Sequence, residues 1–129
     1  MTRTPARYGG RADTELVVVV DCADLDRAAA FWCAALGYVE DGASVGSYRT
    51  LLPRDGDGIE VMLQRVPDGK GAKNRVHLDL RGPDLDAEVA RLLALGARHT
   101  AGAPVVEDGW TWFVLADPDG NEFCVLRRD

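Results

Sequence analysis

His77, Asp79, Glu60, Gln64 and Cys124 are the residues whose types and spacing could do chemistry. An imidazole ligates metals or moves protons near neutral pH. A thiolate is a nucleophile and a soft metal ligand. Carboxylates accept protons or bind harder cations. These residues form no compact motif; they alternate with apolar ones. His77 and Asp79 interleave with Val76, Leu78 and Leu80. Glu60, Met62 and Gln64 interleave with Ile59, Val61 and Leu63. Glu122, Cys124 and Leu126 interleave with Phe123 and Val125. A two-residue period belongs to a strand, and it sends the two sets to opposite faces. The apolar sets should pack on helices. The other face carries His, Glu, Gln, Asp, Met and Cys, which is too mixed for a core. If the sheets curve around a space, these residues line a cavity.

The elements that must position them come in two copies. Leu16 to Gly37 and Val76 to Gly96 each read as an apolar strand, an Asp-Leu-Asp, and a helix ending in Leu-Gly. Asp57-Gly58-Ile59-Glu60-Val61 resembles Asp119-Gly120-Asn121-Glu122-Phe123. Each unit therefore reads β-α-β-β-β, giving eight strands and two helices. Leu16 to Asp21 is a continuous β-branched run, as in a strand buried on both faces. Asp24 and Asp84 suit helix N-caps, and Gly37 and Gly96 suit C-caps. Strands are expected at 48–52, 59–64, 76–80, 110–116 and 122–126, with weaker ones near 42–47 and 103–107. Asp117-Pro118-Asp119-Gly120 fits a type I turn. Trp32 has the helical spacing of a core residue. Trp110 and Trp112 share one strand face, as a stacking wall, core or a dimer contact. His99 follows the second helix and is expected in solvent. Residues 1–13 read as a flexible arm, and 14–129 as one domain. Its modules span about 14–68 and 74–129.

Composition bounds the function. The chain has 129 residues, 15 Lys and Arg against 21 Asp and Glu, and a net charge of −6. That excess of acid argues against nucleic acid or a membrane surface as partner. No apolar run approaches the roughly 20 residues of a membrane span. The start carries no secretory signal pattern. Three cysteines without a CxxC spacing read as reduced thiols in a cytoplasmic protein. Asp117, Asp119 and Asn121 open like a calcium loop, but Glu122 and Arg128 stand where that loop needs Gly and an acid.

Three segments carry a family resemblance. They are Asp24-Leu25-Asp26-Arg27 through Ala30-Phe31-Trp32 to Leu36-Gly37-Tyr38, Asn74-Arg75-Val76-His77-Leu78-Asp79-Leu80, and Asp117-Pro118-Asp119-Gly120-Asn121-Glu122-Phe123. The chain resembles the vicinal-oxygen-chelate superfamily of glyoxalases, bleomycin-resistance proteins and dioxygenases. It looks closest to small actinobacterial glyoxalase-like domain proteins. The resemblance implies an α+β fold: two βαβββ modules forming an eight-strand U-shaped cup with helices outside, often in a homodimer. It also implies a divalent metal (Zn, Ni, Mn or Fe) held by His and Glu from the first and last strands of each module. Of those positions, His77 matches. Val17 cannot ligate, Met62 or Gln64 stands at the third, and Cys124 replaces the usual Glu.

The resulting expectation is a glyoxalase-like small-molecule-binding protein with a degenerate metal site. Its ligand would be apolar or aromatic, held by His77, Gln64, Met62, Cys124, Trp110, Trp112, Tyr48 and Asp79. The alternative is a metal-dependent lyase, isomerase or dioxygenase. There His77 would ligate with Gln64 and Cys124 as weak partners, and Glu60 or Gln64 would ligate or shuttle a proton. A third reading is a dimeric interaction module with a filled cup.

Overall fold

A computed structural model describes residues 15–42, 46–72, 74–100 and 102–129. The expected arm at 1–13 lies outside the described residues. The fold is α+β, with two sheets and two helices. The first repeat gives β1 (Val17–Cys22), α1 (Leu25–Leu36), β2 (Tyr38–Glu40), β3 (Tyr48–Pro53) and β4 (Glu60–Arg65). Their sheet runs in the order β1-β4-β3-β2. The second repeat gives β5 (Asp79–Arg81), α2 (Leu85–Leu95), β6 (Arg98–His99), β7 (Val105–Glu107), β8 (Trp110–Ala116) and β9 (Glu122–Arg128). Its sheet runs β5-β9-β8-β6, with β7 also on β8.

The helices start and stop where the sequence predicts. The Asp24 carboxylate accepts from the Arg27 N–H, and Asp84 accepts from that of Ala87. Each satisfies one orphan donor of a first turn. Gly37, at φ 71°, closes α1 in the left-handed conformation that glycine alone adopts cheaply. Arg91 of α2 donates to the carbonyls of Ala34 and Ala35 at 2.9 Å each, so the second helix caps the first.

One core joins both sheets. Phe31 and Trp32 of α1 meet Phe123 of β9 with ring centroids 6.1 and 5.2 Å apart. Leu51, Leu63, Leu92, Leu115 and Val125 are fully buried around them. At its edge the Trp32 indole N–H donates to the buried Asp117 carboxylate at 3.0 Å. Asp117 also accepts from the N–H groups of Asp119 and Asn121, while Gly120 N–H closes the turn onto the Asp117 carbonyl. The second repeat's hairpin is thus pinned to the first repeat's helix.

Four expectations need correction. β1 is an edge strand with one open face, so Val19 is 50% exposed rather than buried on both sides. The first strand of the second repeat is short. Before Asp79 the backbone leaves the ladder, so alternation does not extend back and Val76 is 81% exposed. The strand expected near 42–47 is β2, at Tyr38–Glu40, immediately after the Gly37 cap. Of that expected range, 43–45 lie outside the described residues. The two-residue β6 brings the described strands to nine instead of eight. His99, within it, is exposed, with its ring edge on Phe113 at 5.4 Å.

Candidate functional site

The helix-free face of the second sheet is built rung by rung. Asp79 pairs with Cys124, and Cys124 with Val114. The next rung sets Arg81 against Leu126, Trp112 and Val105. The last sets Arg128 against Trp110 and Glu107. The alternate residues Phe113, Leu115, Phe123 and Val125 point into the helix-packed core. The parity expectation for β8 and β9 therefore matches the packing.

A cavity of about 140 Å³ opens at one end of this face. Asn74, His77, Val114, Glu122, Phe123 and Cys124 line it, and its walls are mainly apolar. His77 and Cys124, the pair singled out by sequence, do come together here. The Asn74 side-chain amide donates to the Glu122 carbonyl at 3.0 Å, tying the segment before β5 to β9. The Glu122 carboxylate lies 3.6 Å from the Lys70 ammonium, so its charge is engaged outside the cavity pair. A second hollow, about 220 Å³, shares Asn74 and Glu122 and reaches Val19 on β1. Asn74, Glu122 and Val114 were not among the expected site residues. The β9 alternation places Glu122 on this face, and the β8 alternation places Val114 there with Trp110 and Trp112; Asn74 opens one of the resemblance segments but has no strand period to aim it.

The other expected residues lie on the first sheet. The Gln64 amide donates to the Tyr48 hydroxyl at 3.2 Å. Glu60 pairs in register with Val17, and Met62 with Val19 and Thr50. Glu60, Met62, Gln64 and Tyr48 do not line the His77 cavity. Trp110 and Trp112 are half-buried on the helix-free face of β8. The Arg81 guanidinium lies 4.8 Å from the Trp110 ring centroid, and that of Arg128 5.7 Å. Neither arginine was expected. Arg81 lies one residue, and Arg128 two residues, beyond the strand ends read from sequence.

A larger polar cleft lies between Asp21, Arg27, Lys70, Arg98 and Asp119. Its residues are tied together structurally. Asp119 accepts from Ala23 N–H and from Arg27, each at 2.8 Å. Behind it, burial and then the charges of Asp119, Asp117, Asp24 and Asp21 push the Cys22 thiol up to about 11. That thiol stays protonated at neutral pH, which makes it a packing residue rather than a nucleophile.

A family model of the glyoxalase-like domain matches residues 17–126. The chain belongs to the glyoxalase-like domain family. No curated protein matches this glyoxalase-like chain. Its structural neighbours lie in the glyoxalase/bleomycin-resistance/dioxygenase superfamily. A family enzyme from Burkholderia phytofirmans is 20% identical, with a TM-score of 0.69 over 88% of this chain and 97% of that one. A glyoxalase/bleomycin resistance protein from Albidiferax ferrireducens is 26% identical, with a TM-score of 0.60 over 87% and 96%. The fosfomycin resistance protein FosX of Listeria monocytogenes, solved with Mn(II), is 17% identical, with a TM-score of 0.70 over 89% and 90%.

The Mn(II) of that FosX structure can be tested against the donors of this glyoxalase-like chain. The β1–β4 register sets Val19 against Met62, as β5–β9 sets Asp79 against Cys124. Met62, not Gln64, is therefore the equivalent of Cys124. The first repeat then offers an alkyl group at Val17 and a thioether at Met62, neither of which suits a hard divalent ion. Among the described residues, no three His, Cys, Asp or Glu side chains assemble into a metal-holding group. The donor set does not fit the ion. Also among them, no helix is long and apolar enough to cross a membrane.

Proposed function

We propose that this protein binds a small apolar or aromatic molecule through the helix-free face of its second sheet. The carrying observation is the apolar-walled cavity that joins His77 to Cys124. Its volume is close to the roughly 150 Å³ that admits one benzene ring. It is below the roughly 300 Å³ at which drug-sized sites begin. It therefore takes one ring of the ligand, and the remainder lies along the helix-free face toward the half-buried Trp112 and Trp110. His77 supplies a hydrogen bond at the cavity mouth, and Asp79 offers a second polar contact on the Cys124 rung. We also propose a homodimer in the reducing cytoplasm; exposed Tyr48 and Val106 support a second copy.

Thermal-shift and calorimetric titration with single-ring aromatics tests the reading. A bound ring should be lost in His77→Ala or in Val114→Trp, which fills the cavity. If no aromatic binds more tightly than about 10 mM, the reading fails. Metal analysis of protein purified without chelator separates the enzymatic alternative. Stoichiometric Zn, Ni, Mn or Fe, with stabilisation on adding that ion, would favour the metal-dependent lyase, isomerase or dioxygenase.

A further inference from the structure

We infer that the ligand of this face is an amphipathic anion, with a carboxylate held by Arg81 and Arg128 beside Trp110. The inference rests on the proposed aromatic-binding function and adds the ligand's charge. Both guanidinium centres lie within 6 Å of one indole centroid. Two like charges gathered at one ring repel each other, and an anion bound beside them relieves that repulsion. Among the described residues, neither arginine has a carboxylate within ion-pair distance. Glu107 shares the rung of Trp110 and Arg128, and Asp79 stands one rung from Arg81, yet neither carboxylate pairs with the arginines. In a chain of net charge −6, acids to neutralise two exposed arginines are abundant elsewhere. Among the described residues, each guanidinium meets the π face of Trp110 and no carboxylate, which leaves its N–H fork to a ligand.

The spacing gives the ligand its second half. Arg81 stands one rung from Asp79 and Cys124, roughly 7 Å along the strand. Between the cavity and the arginines lies Leu126, 9% exposed, flanked in register by Arg81 and Trp112. A molecule with an aromatic ring beside Val114 and Cys124, a short alkyl spacer, and a carboxylate at the arginines matches that order. A guanidinium fork suits the planar carboxylate, and two forks hold it more tightly than one.

The test compares 4-phenylbutyrate with its neutral isostere 4-phenylbutyramide by isothermal titration of the full chain. The acid should bind at least about tenfold more tightly at low salt, with the gap narrowing as salt is raised. Arg81→Gln and Arg128→Gln should each abolish most of that gap and leave the amide's affinity unchanged. Both side chains are exposed, so neither variant should unfold the protein. Equal affinities for acid and amide overturn this inference and leave aromatic binding standing. If neither compound binds, both fall. If the arginines instead serve a second copy of the chain, Arg81→Gln shifts the sedimentation profile while the acid binds unchanged, and the inference is again overturned.

Discussion

Replacing Asp117 by Ala should be among the most damaging single changes available to this fold. The carboxylate is fully buried and accepts four hydrogen bonds. One oxygen takes the Asp119 and Asn121 backbone N–H groups at 2.9 and 2.8 Å. The other takes the Trp32 indole at 3.0 Å and the Asn121 amide at 3.1 Å. Only the Trp32 donor is sealed from water, so it bears the full cost of losing its acceptor, about 1–3 kcal/mol. The three turn donors are half-exposed and can recover water. Their loss costs about 0.5–1 kcal/mol each, because a pre-formed turn is loosened. The total is about 2.5–6 kcal/mol. For a chain of this length, about 1 kcal/mol moves the melting temperature by about 4 °C, so the shift should exceed about 10 °C. Urea unfolding gives the free energy directly. A double-mutant cycle with Trp32→Phe should show a coupling of about 1.5 kcal/mol or more. A loss below about 1 kcal/mol for Asp117→Ala, or an additive cycle, would refute the claim that this contact pins the hairpin to α1.

Two further outcomes follow from local chemistry. Asp24→Ala and Asp84→Ala should each cost about 1 kcal/mol by urea unfolding, and Asn at either position should restore most of it. Cys22 gives a pH dependence. Its folded value is raised from 9.0 to about 11, so the unfolded thiol ionises first as pH rises. The unfolded state then binds fewer protons, and stability falls between pH 9 and 11. Cys22→Ala should flatten that part of the profile relative to wild type, and an unchanged slope would count against the assignment.

The sequence carried most of the fold because its signals are short-range. Capping aspartates and terminal glycines fix α1 and α2, and a two-residue period fixes faces wherever a strand is long enough to hold its register. The failures have the same physical origin. Val76 obeys the alternation in sequence but lies before the ladder begins, so no hydrogen bonds hold its side chain inward. β6 has two residues and no period of its own; its pairing with β8 creates it. Tyr38–Glu40 follows the Gly37 cap so closely that the turn-rich run after it drew the expected strand downstream. At the site, His77 and Cys124 were legible through parity. Arg81 and Arg128 were not, because the expected strands stopped at Leu80 and Leu126. One more residue on β5 and two more on β9 would have exposed both arginines.

The two repeats share a register and differ in chemistry, and that difference constrains any function. At paired positions the first sheet places Val19 against Met62, and the second places Asp79 against Cys124. Residues of both repeats nevertheless meet in one hollow, where Val19 faces the Asn74–Glu122 wall. A ligand there meets an alkyl surface from one side and polar groups from the other. Symmetric chelation by four strand-borne donors would require side chains that Val17 and Met62 are not. A molecule with one apolar and one polar end fits such a divided site, because each end then finds the surface that costs least to desolvate. The Arg81–Trp110–Arg128 cluster extends the same division along the sheet, placing positive charge where the apolar surface ends.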